Sequence, residues 1–311
     1  MTQVIVCFSY NASLISSRVV QIREYAAFLL AQNCFAVFVQ ELTLKLRNSN
    51  VRRKNVLRVF VIAISFLIVS PGFAEDATKP TQTEAAKNLD PGRPKTRLFV
   101  RTEFKESESG DKTTVIDPLY DFPIGQRFSV RLQTPFVNKD FVEGGSEGGN
   151  GDITARFSYK ATTTDAGNSL FLSLETKWDT ASDAELGGGK NLVAPTVFGF
   201  VKIPSLGLFS FPLFQTFFTV GGDDSRDDVS FSALKLPAMK KLSHGYYLFF
   251  EPVVLWDHER GEQSTGNFEL EFGRFVKPSM MLYARPGTTL WGDNTSFSFK
   301  YNFEVGFRLF M

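Results

Sequence analysis

The sequence predicts an all-β protein: an antiparallel up-and-down transmembrane β-barrel of about twelve strands, with ten as the alternative count. Three observations carry this prediction. From about residue 97 to the last residue, runs of alternating apolar and polar side chains follow one another with no long helical period. The segments between these runs alternate between long and short. Ahead of them lies an export signal.

The chain has 311 residues, 43% of them apolar, and a formal charge of +1. Those averages hide a composite. Between Val51 and Ala74 the text reads VRRKNVLRVFVIAISFLIVSPGFA. Arg52, Arg53, Lys54 and Arg58 form a basic n-region, Val59 to Ser70 an unbroken apolar run, and Gly72, Phe73 and Ala74 a small-x-small cleavage site. Residues 51–74 therefore read as a secretory signal peptide, too short for a comfortable membrane span, with Glu75 as the expected mature start. Because this signal lies inside the chain, residues 1–50 read as an over-extended gene start. No Met lies between Met1 and Met239, so that reading needs another initiator codon. The rival is a genuine amphipathic extension containing AAFLLAQNCFAVFV.

Both cysteines, Cys7 and Cys34, precede the cleavage site, so the mature part can form neither a disulfide nor a thiolate metal site. The leader is rich in Lys and Arg, which leaves the mature part net acidic and removes the electrostatic footprint of nucleic-acid binding. Residues 75–96 are polar, contain Pro80, Pro91 and Pro94, and read as a disordered periplasmic lead-in to the barrel of 97–311.

The strands are expected at about 97–104, 113–121, 126–136, 152–160, 168–178, 192–201, 207–220, 228–240, 245–256, 267–275, 279–285 and 296–310. Several show a clean dyad. Phe128, Val130 and Leu132 oppose Arg127, Ser129, Arg131 and Gln133, and Leu170, Leu172 and Leu174 oppose Ser173, Glu175 and Lys177. In a soluble sandwich the apolar face would be the core, whereas in a membrane barrel it faces lipid and the charges face inward.

The connections 105–112, 137–151, 179–191, 221–227, 257–266 and 286–295 are mostly long and rich in Gly, Asp, Glu and Asn. Those at 122–125, 161–167, 202–206, 241–244 and 276–278 are mostly shorter. External loops alternating with periplasmic turns give this pattern and place both chain ends in the periplasm. The 33 phenylalanines of the chain lie mostly in the mature part, and Trp178, Trp256, Tyr246, Tyr247 and Tyr301 fall near strand ends, where aromatic girdles sit. Pro118, Pro195, Pro212, Pro237 and Pro252 fall inside the strands and remove ladder donors. They mark bulges, or the count is ten.

The chain ends on SFSFKYNFEVGFRLFM. One face reads Phe297, Phe299, Tyr301, Phe303, Val305, Phe307, Leu309 and Met311; the other carries Lys300, Glu304 and Arg308. This closing strand resembles the C-terminal signal by which outer-membrane barrels are recognised by the barrel assembly machinery. Phe303, Val305, Phe307, Leu309 and Met311 are in register, with Met311 where Phe is usual. GNGDITARFSYKA from Gly149 and TASDAELGGGKNLVAP from Thr180 resemble the Gly-x-Gly-Asp strand start and Leu-Gly-x-Gly-Lys loop of the MetA-pathway of phenol degradation family, and HGYYLFFEPVVLWDHER fits its later hairpin. That resemblance covers roughly 122–311 and implies an outer-membrane location and a transport role.

Candidate sites weigh little beside the lumen. His244 and His258 lie at opposite ends of the expected barrel and cannot share a metal. An outer-membrane lipid hydrolase would carry His-x-Ser on the rim; here Arg260 stands at the Ser position, although Ser264 and Asn267 are near. EGGNGD and ELGGGK read as loop glycines, lacking the repeats of a calcium solenoid and the strand and helix of a phosphate loop. Asp223, Asp224, Asp227 and Asp228 read as a solvated acidic loop rather than a divalent cation site. No catalytic residue, metal or cofactor is expected.

The inward face is the informative one. It offers Arg101, Arg127, Arg131, Arg156, Lys160, Lys177, Lys300 and Arg308 as cations. Glu103, Glu175, Glu251, Glu269, Glu271 and Glu304 are the anions. These charges line a narrow hydrated pore, or they pair across the lumen and close it; the residues leave both open. The expected function is passive transport of a small, hydrophobic or aromatic solute. The alternatives are a closed structural or binding barrel acting through its external loops and, third, a rim hydrolase acting on lipid. The expected partners are outer-membrane lipid and lipopolysaccharide, the assembly machinery and a small-molecule solute, with no nucleic acid.

Overall fold

A computed structural model describes residues 95–292 and 297–311. The expected over-extended start, the signal peptide and all but the last two residues of the lead-in lie outside the described residues.

Twelve strands follow in chain order: β1 (Arg97–Glu106), β2 (Lys112–Ile124), β3 (Phe128–Gln133 continued by Phe136–Asp140), β4 (Ser146–Asn150 continued by Thr154–Thr163), β5 (Ser169–Lys177) and β6 (Lys190–Ile203). The second half comprises β7 (Leu208–Ser210 continued by Leu213–Gly222), β8 (Ser230–Lys235 continued by Ala238–Lys241), β9 (Tyr246–Asp257), β10 (Gln263–Lys277), β11 (Met280–Trp291) and β12 (Tyr301–Phe310). Each pairs antiparallel with its neighbours in sequence, and β12 returns to β1 in register from Arg97↔Phe310 to Glu106↔Tyr301. The sheet is thus a closed up-and-down barrel with no edge, so the ladder donors and acceptors of every strand face a partner.

Closure survives the prolines because their missing donors point at matching gaps. Pro118, Pro135, Pro212, Pro237 and Pro252 each present the carbonyl to the neighbouring strand, accepting from Thr134, Gly151, Gly199, Phe211 and Leu236. In an antiparallel strand a residue's N and C=O point to the same side, so each proline ring faces its donor, and for Pro118, Pro135, Pro237 and Pro252 that donor lies where the neighbouring strand is itself interrupted. The breaks in β3, β7 and β8 fall beside Pro135, Pro212 and Pro237. Opposite Pro195 the β6–β7 register is interrupted between Gln215↔Thr196 and Phe218↔Val193. The prolines therefore mark irregularities, and the count is twelve.

Three boundaries differ from the dyad reading. The expected long loops 137–151 and 286–295 are mostly strand, since β3 and β4 continue as a hairpin to Asp140↔Ser146 and β11 reaches Trp291. The closing strand starts at Tyr301, and Phe297 and Phe299 leave the outer row.

Alternation sorts the wall into two faces. Ile116, Tyr120, Phe128, Leu132, Phe136 and Phe157 are exposed on the outside, as are Leu170, Leu172, Leu174, Phe214, Phe272 and Phe303 farther round the barrel. The facing rows hold Asp117, Asp121, Glu271, Arg285 and Glu304, all buried within the barrel. A belt of exposed apolar side chains this extensive, wrapped around buried charges, is the inverse of a water-soluble sandwich. Among the described residues no helix is long and apolar enough to cross a membrane.

Candidate functional site

The inner wall is built by register. Arg97, Asp121, Arg131, Arg156 and Glu175 face one another across β1 to β5. Arg131 reaches Asp121 at 3.0 Å, Arg97 is 3.8 Å from the same carboxylate, and Arg156 Nε donates to Glu175 at 2.6 Å. Directly opposed residues in an antiparallel pair are close enough for such contacts, so the dyad places ions in partner distance.

A second cluster spans β9 to β12. The Glu271 carboxylate, fully buried, accepts from Arg285 at 2.9 and 2.5 Å, from both terminal nitrogens of Arg308 at 2.8 and 2.7 Å, and from the Tyr247 hydroxyl at 2.7 Å. Arg285 also reaches Glu269 at 3.2 Å, which accepts from Asn302 at 2.8 Å. Glu304 accepts from Tyr283 at 2.6 Å and Arg101 at 3.4 Å, and Arg101 Nε donates to Asp117 at 2.7 Å, as does Gln133. Arg101 thus ties Glu304 on β12 to Asp117 on β2. Buried ions of this kind persist only when each carboxylate is held by several donors.

Between these charges lies a cavity of about 340 Å³. Arg97, Arg101, Arg131, Arg285 and Arg308 line it on one side, with Glu304 the one carboxylate at its surface. Phe198, Phe211, Met239 and Phe249, from β6 to β9, form the facing apolar side. Phe198 stacks on Phe171 with centroids 4.6 Å apart, and Phe211 packs against Phe200 and Phe249.

Two segments fold in at the end of the barrel opposite Arg97 and Phe310. The connection 178–189 is anchored by Asp152, whose carboxylate accepts from the backbone N–H of Gly188 at 2.7 Å, of Thr180 and Ala181 at 3.2 Å, and from Lys177 at 3.1 Å. Gly149 lies on the inner row with Val137, Val115 and Glu103, and a Cβ there would sit 2.0 Å from Ser182 Oγ. Gly149 and Gly151 of the first motif are therefore part of the floor on which this loop rests. Phe297 packs on Phe231 at 4.6 Å beside Ala233, Val253 and Leu255, and Asn267 and Thr289 hold the backbone of Phe297 and Phe299.

Of the expected lumen residues, Arg101, Glu103, Arg131, Arg156, Lys160, Glu175, Lys177, Glu251, Glu269, Glu271, Glu304 and Arg308 lie on inner rows. Glu103 pairs with Lys105 at 3.1 Å and Glu251 with Lys235 at 3.4 Å. Arg127 and Lys300 are corrections. Arg127 precedes β3 in an exposed turn and donates to the Tyr159 hydroxyl at 3.4 Å, because the alternation ends where the ladder does. Lys300 precedes β12, is exposed, and pairs with Glu106 at the rim at 2.8 Å. Dyad reading missed Arg97, Asp117, Asp121 and Arg285. Asp117 and Arg285 lie in the expected strands 113–121 and 279–285, each before a proline, and Asp117 shares its alternate row with Val115, Leu119 and Asp121.

His258 finds partners other than Ser264 and Asn267. Its Nε2 lies 2.9 Å from Ser232 Oγ and its Nδ1 2.9 Å from Glu262, the hydrogen-bond order of a serine hydrolase. Yet Ser232 is buried, shares its hydroxyl with Thr216 at 3.0 Å, and sits on a strand paired on both sides, unlike an accessible nucleophile. In the acidic loop, Asp228 pairs with Lys190 at 3.0 Å, and the backbone N–H of Ser225 holds the Asp223 carboxyl below the usual carboxylate range.

The closed twelve-strand wall also has solved counterparts. The COG4313 outer membrane channel from Pseudomonas putida F1 superposes with a TM-score of 0.54 over 70% of this chain and 96% of that one, at 13% identity. The fold is that of an outer-membrane barrel. The NanC and KdgM porins, each 9% identical over 68% of this chain and 98% of theirs, give TM-scores of 0.49 and 0.47. No protein-family model matches the chain, and no curated protein matches it. The outer-membrane barrel thus rests on its geometry, and the resemblance to the MetA-pathway of phenol degradation family on the two glycine motifs and the hairpin sequence from His244.

Proposed function

We propose that the protein is an outer-membrane channel that passes a small solute, apolar or aromatic in its body, by passive diffusion through the lumen. The observation that carries this is the cavity of about 340 Å³ inside the barrel, lined on one side by arginines interleaved with Phe99, Leu119 and Phe310 and on the other by Phe198, Phe211, Met239 and Phe249. A barrel serving only as a scaffold has no need of an unfilled amphipathic interior. On this reading the apolar outer belt meets lipid and lipopolysaccharide, the end carrying Arg97 and Phe310 faces the periplasm, and Phe303, Val305, Phe307, Leu309 and Met311 engage the assembly machinery. Conductance of the purified protein in planar bilayers is the test. Stepwise current supports a channel, and a silent barrel at every voltage sinks it. The closed barrel is the second reading, favoured by the Asp152-anchored loop and Phe297 in the mouth; the same silent recording would support it.

A further inference from the structure

The two sides of the lumen cavity differ in a way that the charge count conceals. Most of the carboxylates that hold the lining arginines lie deeper in the wall than the guanidiniums do, and Glu304 alone among them also reaches the cavity surface. The side chains of Glu271, Asp117 and Glu304 are 0%, 2% and 4% exposed, whereas those of Arg101 and Arg131 are 34% and 28% exposed. The physical cause is reach: a short carboxylate stays at the sheet, and the longer guanidinium extends past it into the lumen. A network that is close to neutral therefore presents hydrogen-bond donors to the cavity. Arg131 is committed to one carboxylate oxygen of Asp121 at 3.0 Å, and a guanidinium has five N–H donors. Across the lumen, Phe198 and Phe211 offer apolar ring surface, and the Arg285 guanidinium stands over the Phe249 ring 5.2 Å from its centroid, so the two sides meet at Phe249.

We infer that this cavity is a binding site for an organic monoanion with an apolar body, a carboxylate on a ring or short hydrocarbon. The carboxylate would lie against Arg101 and Arg131, whose planar forks match its two oxygens. The ring would lie on the phenylalanine side, where offset stacking adds to area burial. A cation is disfavoured by the arginines in front. A sugar or a polyanion leaves polar groups unpaired against the phenylalanines. The volume accommodates one small molecule of this kind.

This assignment rests on the channel reading and is tested beside it. Current through the purified barrel in KCl is recorded with 3-phenylpropionate, acetate or benzyl alcohol added. The expected result is block by 3-phenylpropionate at a concentration at least about tenfold below that of either control. Arg131→Gln and Phe249→Ala should each raise the blocking concentration by about tenfold, with heat-dependent gel mobility reporting that each variant folds. Equal block by acetate, or by benzyl alcohol, would overturn the site while leaving the channel standing. Should the barrel carry no current, the channel reading falls, and calorimetric titration of the micellar protein with 3-phenylpropionate decides the site by itself. Saturable one-to-one heat supports it, and no heat removes it.

Discussion

Asp152 and Gly188 are joined by a 2.7 Å hydrogen bond from the glycine N–H to the carboxylate, linking two glycine motifs that stand well apart in sequence. The aspartate closes the first motif, and the glycine lies in the second. Their junction seats the 178–189 connection on the inner rows of β4, where Gly149 and Gly151 leave room for Ser182 and Leu186.

Asp152→Ala should release that connection. It strips three backbone N–H groups and Lys177 of their acceptor, at about 1 to 3 kcal/mol for groups left unsatisfied. Limited proteolysis at Glu185 should become fast while the barrel's heat-dependent mobility is retained. Gly149→Val should do the same by displacing Ser182. Unchanged cleavage in both variants would show that the loop is held elsewhere.

Glu271→Gln should be among the most destabilising single changes in the wall. Arg285 and Arg308 both lean on this carboxylate, and removing its charge leaves two buried cations short of a partner. A loss of about 3 to 5 kcal/mol is expected in reversible urea unfolding in detergent. An unfolding midpoint equal to that of the parent would contradict the hub role.

Lys300→Ala should leave the unfolding midpoint at the parent's value, because its partner Glu106 is reached by an exposed, solvent-screened ammonium at the rim. Arg127→Ala should likewise leave ion selectivity unaltered, whereas Arg131→Ala should lower anion preference. Reversal potentials across a KCl gradient distinguish these positions. A shift for Arg127→Ala as large as for Arg131→Ala would return Arg127 to the lumen.

Phe297→Ala should widen the mouth. The ring is packed on Phe231 within the lumen, and its loss costs up to about 3 kcal/mol of local packing. Larger single-channel conductance is the expected readout, and a conductance equal to the parent's would place the constriction elsewhere.

The twelve strands, their antiparallel order and the sorting of apolar from charged rows were legible because a strand's period of two is a local property, written wherever Leu alternates with Glu or Phe with Arg. Twelve of the fourteen charged positions read as lumen lie on inner rows for the same reason. What tertiary structure alone decided is where the alternation stops and what meets across the lumen. Phe297 and Phe299 continue the pattern in sequence, yet Asn267 and Thr289 draw their backbone inward. Asp117 and Arg285 lie beside prolines in their strands and become partners of Arg101 and Glu271 only once β1 meets β2 and β10 meets β11. Local alternation specifies a closed barrel whose two faces differ in polarity. Only closure of the sheet set the arginines before their carboxylates and the phenylalanines across from them, because side-chain reach and strand neighbours are settled in space.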